Sequence, residues 1–146
     1  MDTVTIPALQ QMKREGKKIA GIVAWDYPIA RIADRAGVDF VSVGDSVGVN
    51  LWGHANPLEV TMEEMLVVAK AVRRGVKRAL VSCDVPFGPV QEGTDAALRA
   101  AIRQIVGGPR FVRLAIAPGA EPKTLPPRDG AFLKTRFRGG LGVLVT

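Results

Sequence analysis

The sequence predicts an α/β fold built on a parallel sheet. Three observations carry this: apolar runs of strand length alternate three times with segments of helical period, capping residues stand where the helical segments open, and the strand ends carry Asp26, Asp45 and Asp84. Strand–helix alternation with right-handed crossovers places the C-terminal ends of all strands on one face, where function collects in such folds. With 146 residues, 47% of them hydrophobic, and a mean hydropathy of +0.15, the chain can bury one compact core.

A short amphipathic segment, Ile6 to Glu15, opens the chain. The first apolar run, Ile19 to Ala24, ends at Asp26, and Tyr27 to Ala36 then sets Ile29, Ile32, Ala33 and Ala36 on one helical face. Asp26 caps that helix, Pro28 suits its first turn and Gly37 closes it. The second run, Phe40 to Val43, ends in Gly44-Asp45-Ser46, and a Gly- and Asn-containing loop follows as far as Leu58; loops of this length are usually functional or disordered. Thr61-Met62-Glu63-Glu64 is a capping box, and Met62, Met65, Leu66, Ala69 and Val72 continue an apolar stripe up to Gly75, so these methionines belong to the core. The third run, Ala79 to Cys83, ends at Asp84-Val85-Pro86-Phe87. Thr94 or Asp95 starts a third helix, with Leu98, Ala101, Ile102 and Ile105 expected inward and Gly107 at its end.

A carboxylate at a strand end is most often a helix cap, which fits Asp26 directly before Tyr27-Pro28. Asp45 and Asp84 differ, because neither directly precedes its helix. Two carboxylates at neighbouring strand ends repel unless a cation lies between them, and a hard cation with oxygen ligands, Mg²⁺ above all, answers that need. Spacing alone leaves a metal site open in either direction, since no local motif as specific as HExxH stands behind the pair.

The net charge of +6 raises nucleic-acid binding as a function class, but its distribution argues against it. Residues 1–106 hold 13 Lys and Arg against 12 Asp and Glu, whereas residues 107–146 hold 7 against 2, so the excess belongs to the tail rather than to an ordered basic face. No run reaches the roughly 18 apolar residues of a membrane span, and Met1-Asp2-Thr3 is not the charged start of a signal peptide. Cys83 stands alone in an apolar run, which excludes an internal disulfide and reads as a buried, inert thiol. A cytoplasmic protein with no nucleic-acid and no membrane partner is expected.

Four motifs, in order, then carry a resemblance: Ala24-Trp25-Asp26-Tyr27, Gly44-Asp45-Ser46-Val47-Gly48 with Gly53-His54, Ala71-Val72-Arg73-Arg74-Gly75, and Asp84-Val85-Pro86-Phe87. Over residues 5–106 the chain resembles the ketopantoate hydroxymethyltransferase family, with Trp25 where that family usually has Tyr. The resemblance implies the N-terminal portion of a (β/α)₈ TIM barrel of the phosphoenolpyruvate/pyruvate type, about three of the eight βα units that make up about 250 residues. It implies transfer of a hydroxymethyl group from 5,10-methylenetetrahydrofolate, the co-substrate, to 3-methyl-2-oxobutanoate, giving 2-dehydropantoate for pantothenate and coenzyme A synthesis. Asp45 and Asp84 match the family's Mg²⁺ ligands, and Ser46 with Asp45 matches the loop that meets the 2-oxo acid. Such an acid chelates Mg²⁺, which as a Lewis acid favours loss of the C3 proton. The family keeps a His at His54 without using it as the base, so His54 is read as a loop-positioning residue, and Arg73 and Arg74 as helix-end or surface groups. A full-length member is expected to be a homo-oligomer.

Beyond Gly107 the character changes: 12 of the last 40 residues are Gly or Pro against 14 of the first 106, and helical periodicity is lost. The chain therefore divides into a partial barrel, 1–106, and a divergent Gly-, Pro- and Arg-rich tail, 107–146, expected to be mostly irregular; a change of reading frame in a GC-rich coding sequence would produce such a run. Aligning Phe111 to Ala115 with the family's fourth strand puts Arg113 at the substrate-binding Lys and Ala115 at an acid near the metal. Arg is not a neutral replacement for Lys at a carboxylate contact. The family's proton-abstracting glutamate lies on a later strand, and Glu121 matches no motif, so no catalytic base is assigned and this chain is expected to be inactive by itself. Two other readings stand beside the hydroxymethyltransferase: another Mg²⁺-dependent 2-oxo acid enzyme of the superfamily acting on carbon–carbon or carbon–phosphorus bonds, and a non-catalytic fragment docking onto another chain.

Overall fold

The computed structural model describes residues 2–107, 111–114, 132–137 and 140–145, with side chains described as far as Gln104. Helix α1 (Ile6–Arg14) leads into strand β1 (Gly21–Val23), helix α2 (Tyr27–Arg35) and strand β2 (Phe40–Val43). A short helix α3 (Val47–Trp52) and a 3₁₀ turn (Pro57–Glu59) then precede helix α4 (Met62–Gly75) and strand β3 (Leu80–Asp84). Helices α5 (Phe87–Gln91) and α6 (Thr94–Gly107) follow, and strands β4 (Phe111–Leu114), β5 (Phe132–Phe137) and β6 (Gly140–Val145) complete the described elements.

The strands form one sheet in the order β1-β2-β3-β4-β6-β5. Strands β1 to β4 run parallel, with Ile22, Val41 and Val81 in register and Asp84 opposite Arg113, as the alternation of runs and helices predicts. Strand β6 then pairs antiparallel with β4 and β5. Three runs of the tail are described, Phe111–Leu114, Phe132–Phe137 and Gly140–Val145; each forms a strand, and the first is the run aligned with the family's fourth strand. Their apolar residues suit a sheet once partners are present.

Local rules set the helix boundaries. Asp26 accepts the Ile29 N–H at 2.7 Å as the cap of α2, and Gly37 follows that helix at φ +88°. The Thr61 hydroxyl accepts the Glu64 N–H at 3.2 Å while a Glu64 carboxylate oxygen accepts the Thr61 N–H at 2.7 Å, completing the capping box of α4. The stretch read as a loop after Ser46 contains α3, whose end at Gly53 takes a left-handed φ of +72°.

The main core lies between the sheet and helices α2 and α4, and includes Ala30, Ala33, Val41, Val43, Met65, Ala69, Val72, Val81 and Cys83. Gly75 lets α4 approach α2, because a Cβ there would come within 2.8 Å of the Tyr27 carbonyl and 3.1 Å of the Ala30 Cβ. On the opposite face Val4, Leu9, Phe40 and Leu80 form a smaller cluster that seats α1. Phe40 lies over Gly21, where a Cβ would overlap its ring.

Two helix faces depart from expectation. In α2 the buried residues are Ala30, Ala33 and Asp34, whereas Ile29 and Ile32 are 45% and 63% exposed. In α6 the buried stripe is Ala97, Ala100, Ala101 and Gln104; Ile102 is exposed and Leu98 half-buried, while the Ile105 side chain lies outside the described residues. Close approach selects the small residues, and the larger ones fall on the flanks. Buried Asp34 also went unread in the sequence. Its carboxylate accepts the Lys77, Arg78 and Ala79 N–H groups at 2.9, 3.1 and 2.7 Å, fixing the turn between α4 and β3. Burial pushes Asp34 upward, but the Ala79, Lys77 and Arg78 N–H groups, with the Arg78 guanidinium, outweigh it and hold the carboxyl below its usual range.

Candidate active site at the carboxyl ends of the strands

The β2–β3 register brings Val43 beside Cys83, so the next residues, Gly44 and Asp84, leave the sheet side by side. A Cβ built at Gly44 would stand 3.1 Å from Ser46 Oγ and 3.8 Å from Asp84 Oδ2, so the lack of a side chain there lets both oxygens lie close to its backbone. Asp45, Ser46 and Asp84 are all half-buried, within reach of water and of a small ligand. The structure thus brings Ser46 and Asp84 together around Gly44, with Asp45 between Gly44 and Ser46 in the chain. Arg113 joins them through the backbone register as the β4 partner of Asp84; its side chain lies outside the described residues.

The donor set is hydroxyl and carboxylate oxygen, which suits a hard divalent cation that retains waters. Among the described residues no group of three or more His, Cys, Asp or Glu side chains gathers for a metal, so such a cation would rest on the two carboxylates with water or substrate oxygens completing its shell.

The surrounding loop is held by packing. Gly48 accepts the His54 N–H on its carbonyl at 3.0 Å, and a Cβ at Gly48 would overlap Val60 and lie 2.9 Å from His54 Nδ1. His54 Nε2 lies 3.7 Å from Glu64 Oε1, which sets the imidazole between the end of α3 and the first turn of α4. The backbone N–H of Thr61, and then its hydroxyl, hold Glu64 below the usual carboxylate range. His54 therefore sits between α3 and α4 in the loop that follows Ser46. Asp26 serves as a helix cap, and Arg73 donates to the Val76 carbonyl at 2.7 Å at the end of α4. Cys83 is fully buried, and burial followed by the Asp84 charge pushes its thiol upward, which makes it inert.

Sequence reasoning missed Gln104. It is fully buried on α6 and donates from Nε2 to the Asp84 carbonyl at 2.7 Å. A signal existed: position 104 continues the small-residue stripe of 97, 100 and 101 at helical spacing, and a carboxamide on such a stripe must find a partner.

A β/α sheet that runs parallel from β1 to β4, with the Ser46 and Asp84 oxygens near each other at its strand ends, has the architecture of a partial β/α barrel. The family described as ketopantoate hydroxymethyltransferase matches residues 3–121. The 3-methyl-2-oxobutanoate hydroxymethyltransferase of Cyanothece sp. (strain PCC 7425) is 52% identical over 100 residues, covering 68% of this chain and 38% of that protein. The enzymes of the same name from Trichlorobacter lovleyi and Carboxydothermus hydrogenoformans are each 46% identical, covering 76% and 78% of this chain and 42% of each enzyme. The chain belongs to the ketopantoate hydroxymethyltransferase family, and spans about two fifths of the length of these curated relatives.

Among solved structures, phosphonopyruvate hydrolase in complex with oxalate and Mg²⁺ superposes with a TM-score of 0.58 at 15% identity, covering 73% of this chain and 36% of that one. A 2,3-dimethylmalate lyase of the PEP mutase/isocitrate lyase superfamily gives 0.54 at 19%, covering 75% and 38%. These likenesses establish the fold: part of a β/α (TIM) barrel. Among the described residues no helix is long and apolar enough to cross a membrane.

Proposed function

We propose that this chain supplies the Mg²⁺- and 2-oxo-acid-binding strands of a cytoplasmic 3-methyl-2-oxobutanoate hydroxymethyltransferase of pantothenate biosynthesis, with 5,10-methylenetetrahydrofolate as co-substrate and a homo-oligomer as the full-length form. The observation that carries the reading is the approach of Ser46 Oγ and Asp84 Oδ2 to Gly44, inside two of the family's motifs. Asp45 and Asp84 would hold Mg²⁺, and Ser46 would hydrogen-bond the 2-oxo acid. Arg113, the register partner of Asp84 in the sheet, stands where the family has its substrate-binding Lys. When bound, Mg²⁺ supplies Lewis-acid polarisation of the substrate oxygens. The chain's own residues bind and orient; no side chain among the described residues is assigned as the base for the C3 proton. A positioned base contributes about 10²–10⁴-fold, so this chain alone is expected to bind without useful turnover.

Calorimetric titration with Mg²⁺ and 3-methyl-2-oxobutanoate tests this. Asp84→Asn, which removes one ligand charge and keeps the side-chain size, should weaken binding at least tenfold, and unchanged affinity would remove the assignment. Deuterium exchange at C3 of the bound acid should stay near the uncatalysed rate; rapid exchange would place a base within these 146 residues.

A further inference from the structure

Gln104 lies with no exposed surface on the stripe of α6 that also carries Ala97, Ala100 and Ala101. A carboxamide there brings two donors and an acceptor into a place water does not reach. Nε2 is satisfied by the Asp84 carbonyl at 2.7 Å, while Oε1 has no hydrogen-bond partner. The Cys83 thiol makes a longer contact, 3.6 Å, to the same carbonyl.

Asp84 is the last residue of β3, the point where the chain turns away from its neighbours. Fixing its carbonyl fixes the rotation of the peptide plane that follows, and with it the direction in which the Asp84 Cα–Cβ bond leaves the strand end. The bond is not needed to join β3 to β4, because Asp84 already pairs in register with Arg113. Nor is it needed to fill space, since an apolar side chain of the same length would do so without leaving Oε1 unpartnered.

We propose that Gln104 is a positioning residue that, through the Asp84 carbonyl, holds the Asp84 carboxylate beside Gly44 and the Ser46 hydroxyl. The proposal rests on the reading of Asp84 as a metal ligand. Outer groups that orient a ligand typically change metal affinity 10–100-fold when lost.

The test uses the full chain and Gln104→Met, which keeps length and removes the donor. Two quantities are read: affinity for Mg²⁺ with 3-methyl-2-oxobutanoate by calorimetry, and amide hydrogen exchange at Val85 and Phe87 compared with the amides of α6. The expected result is affinity at least tenfold weaker and faster exchange confined to Val85 and Phe87, with the thermal midpoint unchanged or raised. Wild-type affinity in the variant, or wild-type exchange at both amides, overturns the proposal. If the unaltered chain binds no Mg²⁺, the metal reading fails and exchange alone decides the role of Gln104. Gln104→Leu replaces the Met variant if the latter does not unfold cooperatively, and loss of folding in both would overturn the proposal by making Gln104 a folding residue.

Discussion

Strands β1 and β2 are neighbours in one sheet, both short and mostly apolar, yet every residue of Gly21–Val23 is exposed while Phe40–Val43 alternates between half-buried and buried. Ile22 and Val41 are register partners and point to the same face; Ile22 is 41% exposed and Val41 fully buried. The difference lies in the neighbours. Strand β2 is flanked by β1 and β3 and covered by α2 and α4, whereas β1 is a sheet edge, and α2 beside it leaves Ile29 and Ile32 uncovered. The same contrast separates the site from the edge: Gly44 and Asp84 leave the best-packed strands, which is what allows their oxygen donors to be held in place.

That comparison is most sharply tested by truncating one side chain on each side of it. Met65, fully buried in the main core, should cost about 2–5 kcal/mol on Met65→Ala, whereas Ile32→Ala, at 63% exposure, should stay within about 0.5 kcal/mol in chemical denaturation. Equal losses would mean that the α2 flank is covered in solution.

A smaller effect is expected at the site loop. Gly48→Ala forces a Cβ against Val60 and the His54 ring, and overpacking of this kind costs about 1–3 kcal/mol. The loss should be accompanied by weaker Mg²⁺ and 2-oxo acid binding, because the same loop carries Asp45 and Ser46. A stability loss with unchanged binding would show that the loop's packing and its ligand set are independent.

The smallest effect is a change of slope on the acid limb. Asp34 has a folded-state pKa below its unfolded one, so its contribution to stability is present above the unfolded value and is lost as pH falls through the folded value. Asp34→Asn should flatten stability against pH in that acid window while lowering stability at neutral pH, where three N–H groups lose their carboxylate. Denaturation midpoints across the acid range would show an unchanged slope if Asp34 were not the group responsible.

Element type and order were legible because they rest on neighbours in the chain: the capping box at Thr61, Asp26 before Tyr27-Pro28, and the short apolar runs that became β1 to β3. Asp45, Ser46 and Asp84 were singled out because the strand ends of a parallel sheet share a face and the family motifs fall there; of these, the structure brings Ser46 and Asp84 together beside Gly44. The helix faces were only partly legible. Period alone ranks Ile32 and Ile102 as core, but helices that pack closely bury Ala30, Ala33, Ala100 and Ala101 and leave the bulky residues beside the contact.

By itself the sequence determined the alternating α/β plan, the helix caps and the family, since each depends on local spacing or on motifs in order. Only the tertiary structure decided that Asp34 holds a turn more than 40 residues away, that Gln104 reaches back 20 residues to Asp84, and that Asp84 and Ser46 meet beside Gly44. The physical reason is common to all three. Each is a contact between groups distant in sequence, and which groups meet is set by sheet register and helix approach, quantities that no local period contains.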